Sequence, residues 1–176
     1  MFAVRRTKEI VMGGYGGQSG RKKGKGFLNT AGNPVKDKNA VEVAEYYLGM
    51  GKYVAFLKET PNDHKRADLM VEGAPVEVKG VEGANSNTIC TSSLAKAVKQ
   101  IRATISESRW YANKENSKII LLSRHKTDAE GKNAIDAVME GYKAALRKGI
   151  LRPNDKVEYW FKKGNKRRIM ELNAYA

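Results

Sequence analysis

Two carboxylates and an ammonium group lie close together in the stretch 66–80, which reads RADLMVEGAPVEVKG. Asp68 precedes the apolar run Leu69-Met70-Val71, and Glu77 and Lys79 alternate with Val76 and Val78. A period of two puts Glu77 and Lys79 on one face of a strand and the two valines on the other. Glu72-Gly73-Ala74 has turn chemistry, so the stretch reads as two short strands joined by a turn. That register brings Asp68 to the same end of the hairpin as Glu77. Oxygen ligands on a rigid platform suit a hard divalent cation, and a cation beside a lysine suits phosphodiester hydrolysis.

The chemistry expected of this set divides by residue. Asp68 and Glu77 are the candidate ligands for Mg2+, and the Val78 carbonyl is a further candidate. Lys79 would orient the attacking water, lower its pKa, or neutralise charge developing on the phosphorane. The acid-x-Lys triplet means little by itself. It recurs at Asp63-His64-Lys65 and Glu130-Gly131-Lys132, both in polar sequence that reads as loop. Only Glu77-Val78-Lys79 sits in an alternating strand with an acid on the strand before it.

Elements on either side must hold this hairpin. Residues 39–50 read as a helix with Ala40, Val43, Ala44, Tyr47 and Leu48 on one face. Glu42 falls opposite that face, and Glu45 at its edge is placed to look into a cleft and complete the acidic cluster. Tyr53–Leu57 reads as a buried strand, and 58–65 and 81–87 as polar loops. Thr91, Ser92 and Ser93 offer N-caps for a helix running to about Ser108, with Leu94, Ala97, Val98, Ile101 and Ile105 as its core stripe. Lys96 and Gln100 stand four apart on one flank, so both could reach one site, with the phosphate as their expected contact. Ile119–Leu122 reads as a strand buried on both faces, 133–148 as a helix, and 157–161 as a strand. A basic turn at 162–168 and a closing strand at 169–172 follow. The expected architecture is an α/β sandwich with a central mixed sheet.

Charge points to a polyanion. The net charge is +14, with net +7 in residues 1–40, net +7 in residues 141–176, and a balanced centre. Residues 13–26 hold seven glycines and four basic residues, which suits an arm or linker that follows a phosphate backbone. The chain thus divides into an arm at 1–38 and a domain at 39–176. Arg21, Lys22 and Lys23 in the arm, Lys96, and Lys166, Arg167 and Arg168 near the C-terminus are the candidate nucleic-acid contacts. A single cysteine, Cys90, excludes an intrachain disulfide and a cysteine zinc site, and His64 and His125 lack ligand spacing. Trp110-Tyr111 reads as packing at the end of a core. No apolar run approaches membrane-spanning length.

The order of these residues carries a resemblance. A helix with Glu45, a strand, a hairpin with Asp68 and Glu77-x-Lys79, then a helix with Lys96 and Gln100 looks like the PD-(D/E)XK nuclease superfamily. The match covers about residues 39–123. Within the superfamily the chain is most similar to nuclease toxin domains of bacterial contact-dependent growth inhibition systems. The helix-borne Glu45, the Gly51-Lys52-Tyr53-Val54 strand opening and Lys99-Gln100-Ile101 carry that likeness. Ala67 departs from it, standing where the name-giving motif has proline.

The resemblance implies a restriction-endonuclease-like fold and a Mg2+- or Zn2+-dependent endonuclease, commonly acting on tRNA. It implies an acidic cognate immunity protein as partner. It also implies action in the bacterial cytoplasm after delivery within a larger secreted protein. The same site would serve a DNA endonuclease of phage or junction-resolvase type. A third reading is a non-catalytic nucleic-acid-binding domain with a surface acid–lysine pair.

Overall fold

In a computed structural model, the structure describes residues 26–29, 37–57, 66–82, 85–107, 113–124 and 128–175. Among the described residues seven strands pair into one sheet whose spatial order follows the sequence. Its strands are β1 (Phe27–Asn29), β2 (Tyr53–Phe56), β3 (Leu69–Val71), β4 (Ala74–Val81), β5 (Lys118–Ser123), β6 (Lys156–Lys163) and β7 (Lys166–Glu171). β1 and β2 are parallel, β2 to β4 form an antiparallel meander, β4 to β6 are parallel, and β7 closes antiparallel on β6. The sheet is therefore mixed, as expected.

Helices cover both faces. On one face α1 (Lys38–Gly49) lays Ala40, Val43, Ala44 and Leu48 against Val54, Leu69, Val76, Val78, Ile120 and Trp160. On the other, α2 (Ala95–Glu107) and α3 (Asp128–Arg147) pack on Ile119, Leu121, Val157 and Tyr159. β5 is apolar toward both layers, which is why Ile119–Leu122 is a continuous buried run, whereas β4 is apolar toward α1 and carries Glu77 and Lys79 on its other face.

Several boundaries differ from the sequence reading. Phe27–Asn29, part of the stretch read as an arm, pairs with β2 as a three-residue edge strand. Three residues are too few for any period to show. Thr91–Ser93 do not start a helix, because they lie inside a longer helical run. Asn85 caps that run by accepting the Thr88 N–H at 3.0 Å. A first turn (Ser86–Thr88) passes into a π-helical segment (Ile89–Leu94) and then into α2. The helix expected from residue 133 begins at Asp128, so Glu130-Gly131-Lys132 is helical rather than loop. The basic stretch 162–168 turns only at Gly164-Asn165, where Gly164 has φ 58°. Its other residues are the ends of β6 and β7. Arg21, Lys22, Lys23, His64, His125, Trp110 and Tyr111 lie outside the described residues. No helix among the described residues is long and apolar enough to cross a membrane.

One helix contact is unusually close. A Cβ on Gly141 of α3 would lie 2.8 Å from Ile89 Cγ2 and 2.8 Å from the Ser86 carbonyl oxygen. Glycine there lets α3 touch the π segment, whose Ile89, Cys90 and Leu94 are buried.

Candidate active site

The hairpin turn fixes the register of the site. Glu72 and Gly73 both have positive φ, 49° and 83°, as a two-residue turn between right-twisted strands requires. The Tyr53 N–H donates to Glu72 Oε1 at 2.6 Å and ties the turn to β2. The pairs Val71↔Ala74, Met70↔Pro75 and Leu69↔Val76 follow, so Asp68 faces Glu77 one step beyond the last pair. The expected convergence of the two acids is therefore present.

β3 parts from β4 at this step. The Val78 N–H donates to Asp68 Oδ2 at 2.9 Å, and the Asp68 N–H donates to Glu77 Oε2 at 3.2 Å. Side chains thus satisfy backbone groups that a continuing ladder would pair. The Leu57 N–H, donating to the Asp68 carbonyl at 3.0 Å, keeps Asp68 attached to the β2 side of the gap.

Glu77 and Lys79 point to the α2 layer. Glu77 is fully buried, and its Oε1 is paired with the Lys79 ammonium. Lys79 Nζ also donates to Gln100 Oε1 at 2.7 Å. The other end of that amide donates from Nε2 to the Arg66 carbonyl at 3.1 Å. One turn on, Thr104 Oγ1 accepts the Ala67 N–H at 2.7 Å and donates to the Gln100 carbonyl at 2.7 Å. Two residues of α2 therefore grip the chain entering Asp68 and fix the lysine beside Glu77. Gln100 was expected at the phosphate, but both ends of its amide hold protein groups.

Burial controls the ionisation of the acids. It pushes the Glu77 carboxyl up to about 8, with the Asp68 charge adding to the rise and Lys79 opposing it. Burial also raises Asp68 to about 6, against the Val78 N–H and Lys79, while Asp37 adds a little. Two adjacent carboxyls that resist ionisation, with Lys79 as the cation beside them, form a donor set that suits a divalent cation. Among the described residues no group of three or more His, Cys, Asp or Glu side chains is arranged to hold a metal. A two-carboxylate set suits Mg2+, which keeps several waters and is commonly shared with substrate phosphates.

The remaining candidates are scattered. Glu45 is half-buried on α1, which packs on the Val76 and Val78 face of the sheet, opposite Glu77 and Lys79. No hydrogen bond or ion pair joins Glu45 to the cluster. The α1 residue whose charge reaches Asp68 is Asp37, the N-cap, which accepts the Asn39 N–H at 2.8 Å. Glu45 lies eight residues further on, about 12 Å along the helix axis. Lys96 is exposed one turn before Gln100, and Lys166 and Arg168 are exposed on β7. Arg167 is not free. It pairs with Glu42 and lies 5.3 Å from the Trp160 ring centre and 5.7 Å from that of Tyr46. Lys162 also reaches Glu42, at 3.7 Å, so Glu42 is not merely solvated.

The sequence reading missed Asp37 and Thr104. An acid immediately before a helical period is an N-cap signal, and Thr104 repeats the four-residue spacing that singled out Gln100. Comparison of the chain with protein-family models, curated proteins and solved structures finds no match.

Proposed function

We propose that the protein is a metal-dependent endonuclease of the PD-(D/E)XK type, with a restriction-endonuclease-like core and RNA, tRNA foremost, as substrate. The observation that carries this reading is the pairing of Asp68 and Glu77 across the β3–β4 gap, with Lys79 held beside them by Gln100. Asp68 and Glu77 would hold a Mg2+ ion, with Mn2+ or Zn2+ as alternatives. Such an ion supplies Lewis-acid polarisation of a phosphoryl oxygen and a more acidic water.

The chain's own residues do the rest. The two strands fix the carboxylates, and Gln100 limits the ammonium of Lys79 to one position. Lys79 donates toward the attacking water or the charge that develops on the phosphate. The excess of Lys and Arg favours a polyanionic partner and supports nucleic acid as substrate. An acidic immunity protein as inhibitor, and delivery into the bacterial cytoplasm within a larger secreted protein, belong to the same proposal.

The test is incubation of the purified protein with total tRNA and with plasmid DNA, with Mg2+, Mn2+ or Zn2+ and with EDTA. Metal-dependent tRNA cleavage, lost in Glu77→Ala and Lys79→Ala while binding persists, supports the proposal. Cleavage of plasmid alone would make the protein a DNA endonuclease. Binding without cleavage of either substrate would make it a non-catalytic binding domain.

A further inference from the structure

Gly80 follows Lys79 directly, inside β4. Glycine weakens a strand interior, and there it often marks a place where another group approaches the backbone closely. A Cβ on Gly80 would lie 2.9 Å from Arg124 Nε and 3.0 Å from Asn39 Nδ2. The guanidinium and the amide therefore lie over the strand because no side chain occupies that position.

The setting is the carboxyl end of two adjacent parallel strands. Val81 of β4 pairs with Ser123 of β5, and the Arg124 N–H donates to the Val81 carbonyl at 3.2 Å. Side chains alternate along β4, so Lys79 faces the α2 layer and the Gly80 position faces the α1 layer. Cationic and amide donors thus flank the end of β4 from both faces, one residue apart in sequence. Gly80 itself is exposed.

Arg124 is only loosely engaged by protein. Its one ion pair among the described residues is Nη1 with Glu82 Oε1 at 3.2 Å, with side chains 47% and 72% exposed. A pair so exposed contributes little and exchanges readily for a stronger anion. Asp37 accepts the Asn39 backbone N–H, and the Asn39 side-chain amide stands over Gly80. Arg and Asn donors over bare backbone suit the oxygens of a phosphate.

We infer that Arg124 and Asn39, seated over Gly80, form a subsite for a backbone phosphate of the polynucleotide, flanking the phosphate that reacts at Lys79. The inference rests on the nuclease reading for its ligand. Arg124 and Asn39 hold the strand in position and do not touch the reacting atoms. Gly80 serves by leaving room for them.

The test measures binding of a fluorescent tRNA across a salt series, in a Glu77→Gln background that prevents cleavage. Arg124→Ala should weaken binding roughly tenfold at low salt and lower the slope of log Kd against log salt by about 0.7 to 1. Gly80→Ala should give a smaller loss of the same kind with an unchanged Tm, because the added methyl displaces a flexible side chain. In the Arg124→Ala background, Gly80→Ala should cost less than it does alone, its remaining effect coming from the displaced Asn39 amide. Lys143→Ala, exposed on α3, is the control for general charge loss.

A slope unchanged by Arg124→Ala, or fully additive losses from Arg124→Ala and Gly80→Ala, overturns the inference. If the protein with Glu77 intact cleaves tRNA while Arg124→Ala leaves the slope unchanged, the inference alone fails. Binding without cleavage sinks the nuclease reading, and the slope still decides the subsite.

Discussion

Asp68 and Glu77 each accept a backbone N–H from the other's strand region, Asp68 from Val78 at 2.9 Å and Glu77 from Asp68 itself at 3.2 Å. This exchange spends one oxygen of each carboxyl on the backbone, while the other oxygen of Glu77 is paired with Lys79. It also explains why the strands can separate here without leaving unpaired backbone.

The raised acids predict how stability depends on pH. Glu77 moves from an ordinary 4.5 in the unfolded chain to about 8 in the fold, and Asp68 from 3.8 to about 6. Between those values the native state binds more protons than the unfolded state, so its stability falls as pH rises. The Tm of the metal-free protein should decline from about pH 5 to about pH 8, and Glu77→Gln should flatten that decline. Mg2+ should restore Tm at the upper end, where the acids are free to bind it. Melts in EDTA showing a rise over this range would contradict the electrostatic account.

Gln100 acts through Lys79 and is a positioning residue. Gln100→Ala should lower kcat on tRNA by about 10- to 100-fold with little change in KM, since substrate binding does not depend on it. Single-turnover kinetics at saturating tRNA would separate the two. A change in KM alone would mean that Gln100 contacts the substrate.

Thr104 is nearly fully buried, and its hydroxyl holds the Ala67 N–H. Thr104→Val keeps the shape and orphans that donor, at a cost of about 1–3 kcal/mol in urea denaturation. Thr104→Ser should stay close to the parent protein. Equal losses in both variants would mean that the methyl group, rather than the hydrogen bond, matters.

Neighbours on β7 should divide by role. Arg167→Ala removes the cation packed on Trp160 and Tyr46 and should lower stability by about 0.5–2 kcal/mol. Lys166→Ala and Arg168→Ala, both exposed, should leave Tm unchanged and each lower the salt slope of tRNA binding by about 1. A salt slope that falls as far in Arg167→Ala would return that residue to the binding surface.

The hairpin was legible because its information is local. Alternation at 76–79, a Gly73 turn and two flanking apolar runs fix β3, β4 and their register with no help from the rest of the chain. The Gln100 flank was legible for the same reason, as a four-residue spacing on one helix. Glu45 shows where such reasoning stops. Its place at the edge of an apolar stripe says nothing of which sheet face the stripe covers, and α1 covers the other one. Arg167 shows the same limit, because its partner Glu42 lies 125 residues away. Charge counts cannot tell a cation held by aromatic rings from one free in solvent.

The π segment can be understood through the angular bookkeeping of a helix. Two places on the run 86–107 are pinned from outside, Ser86 and Ile89 by the close approach of Gly141, and Gln100 by Lys79 and Arg66. A wider turn accommodates one extra residue, which is about 100° of rotation in an α-helix. Ile89–Leu94 therefore acts as a phase corrector, setting the azimuth of Gln100 independently of the docking on α3. Removing one residue from it would leave the charges and the site residues intact and turn the helix out of step with one anchor or the other.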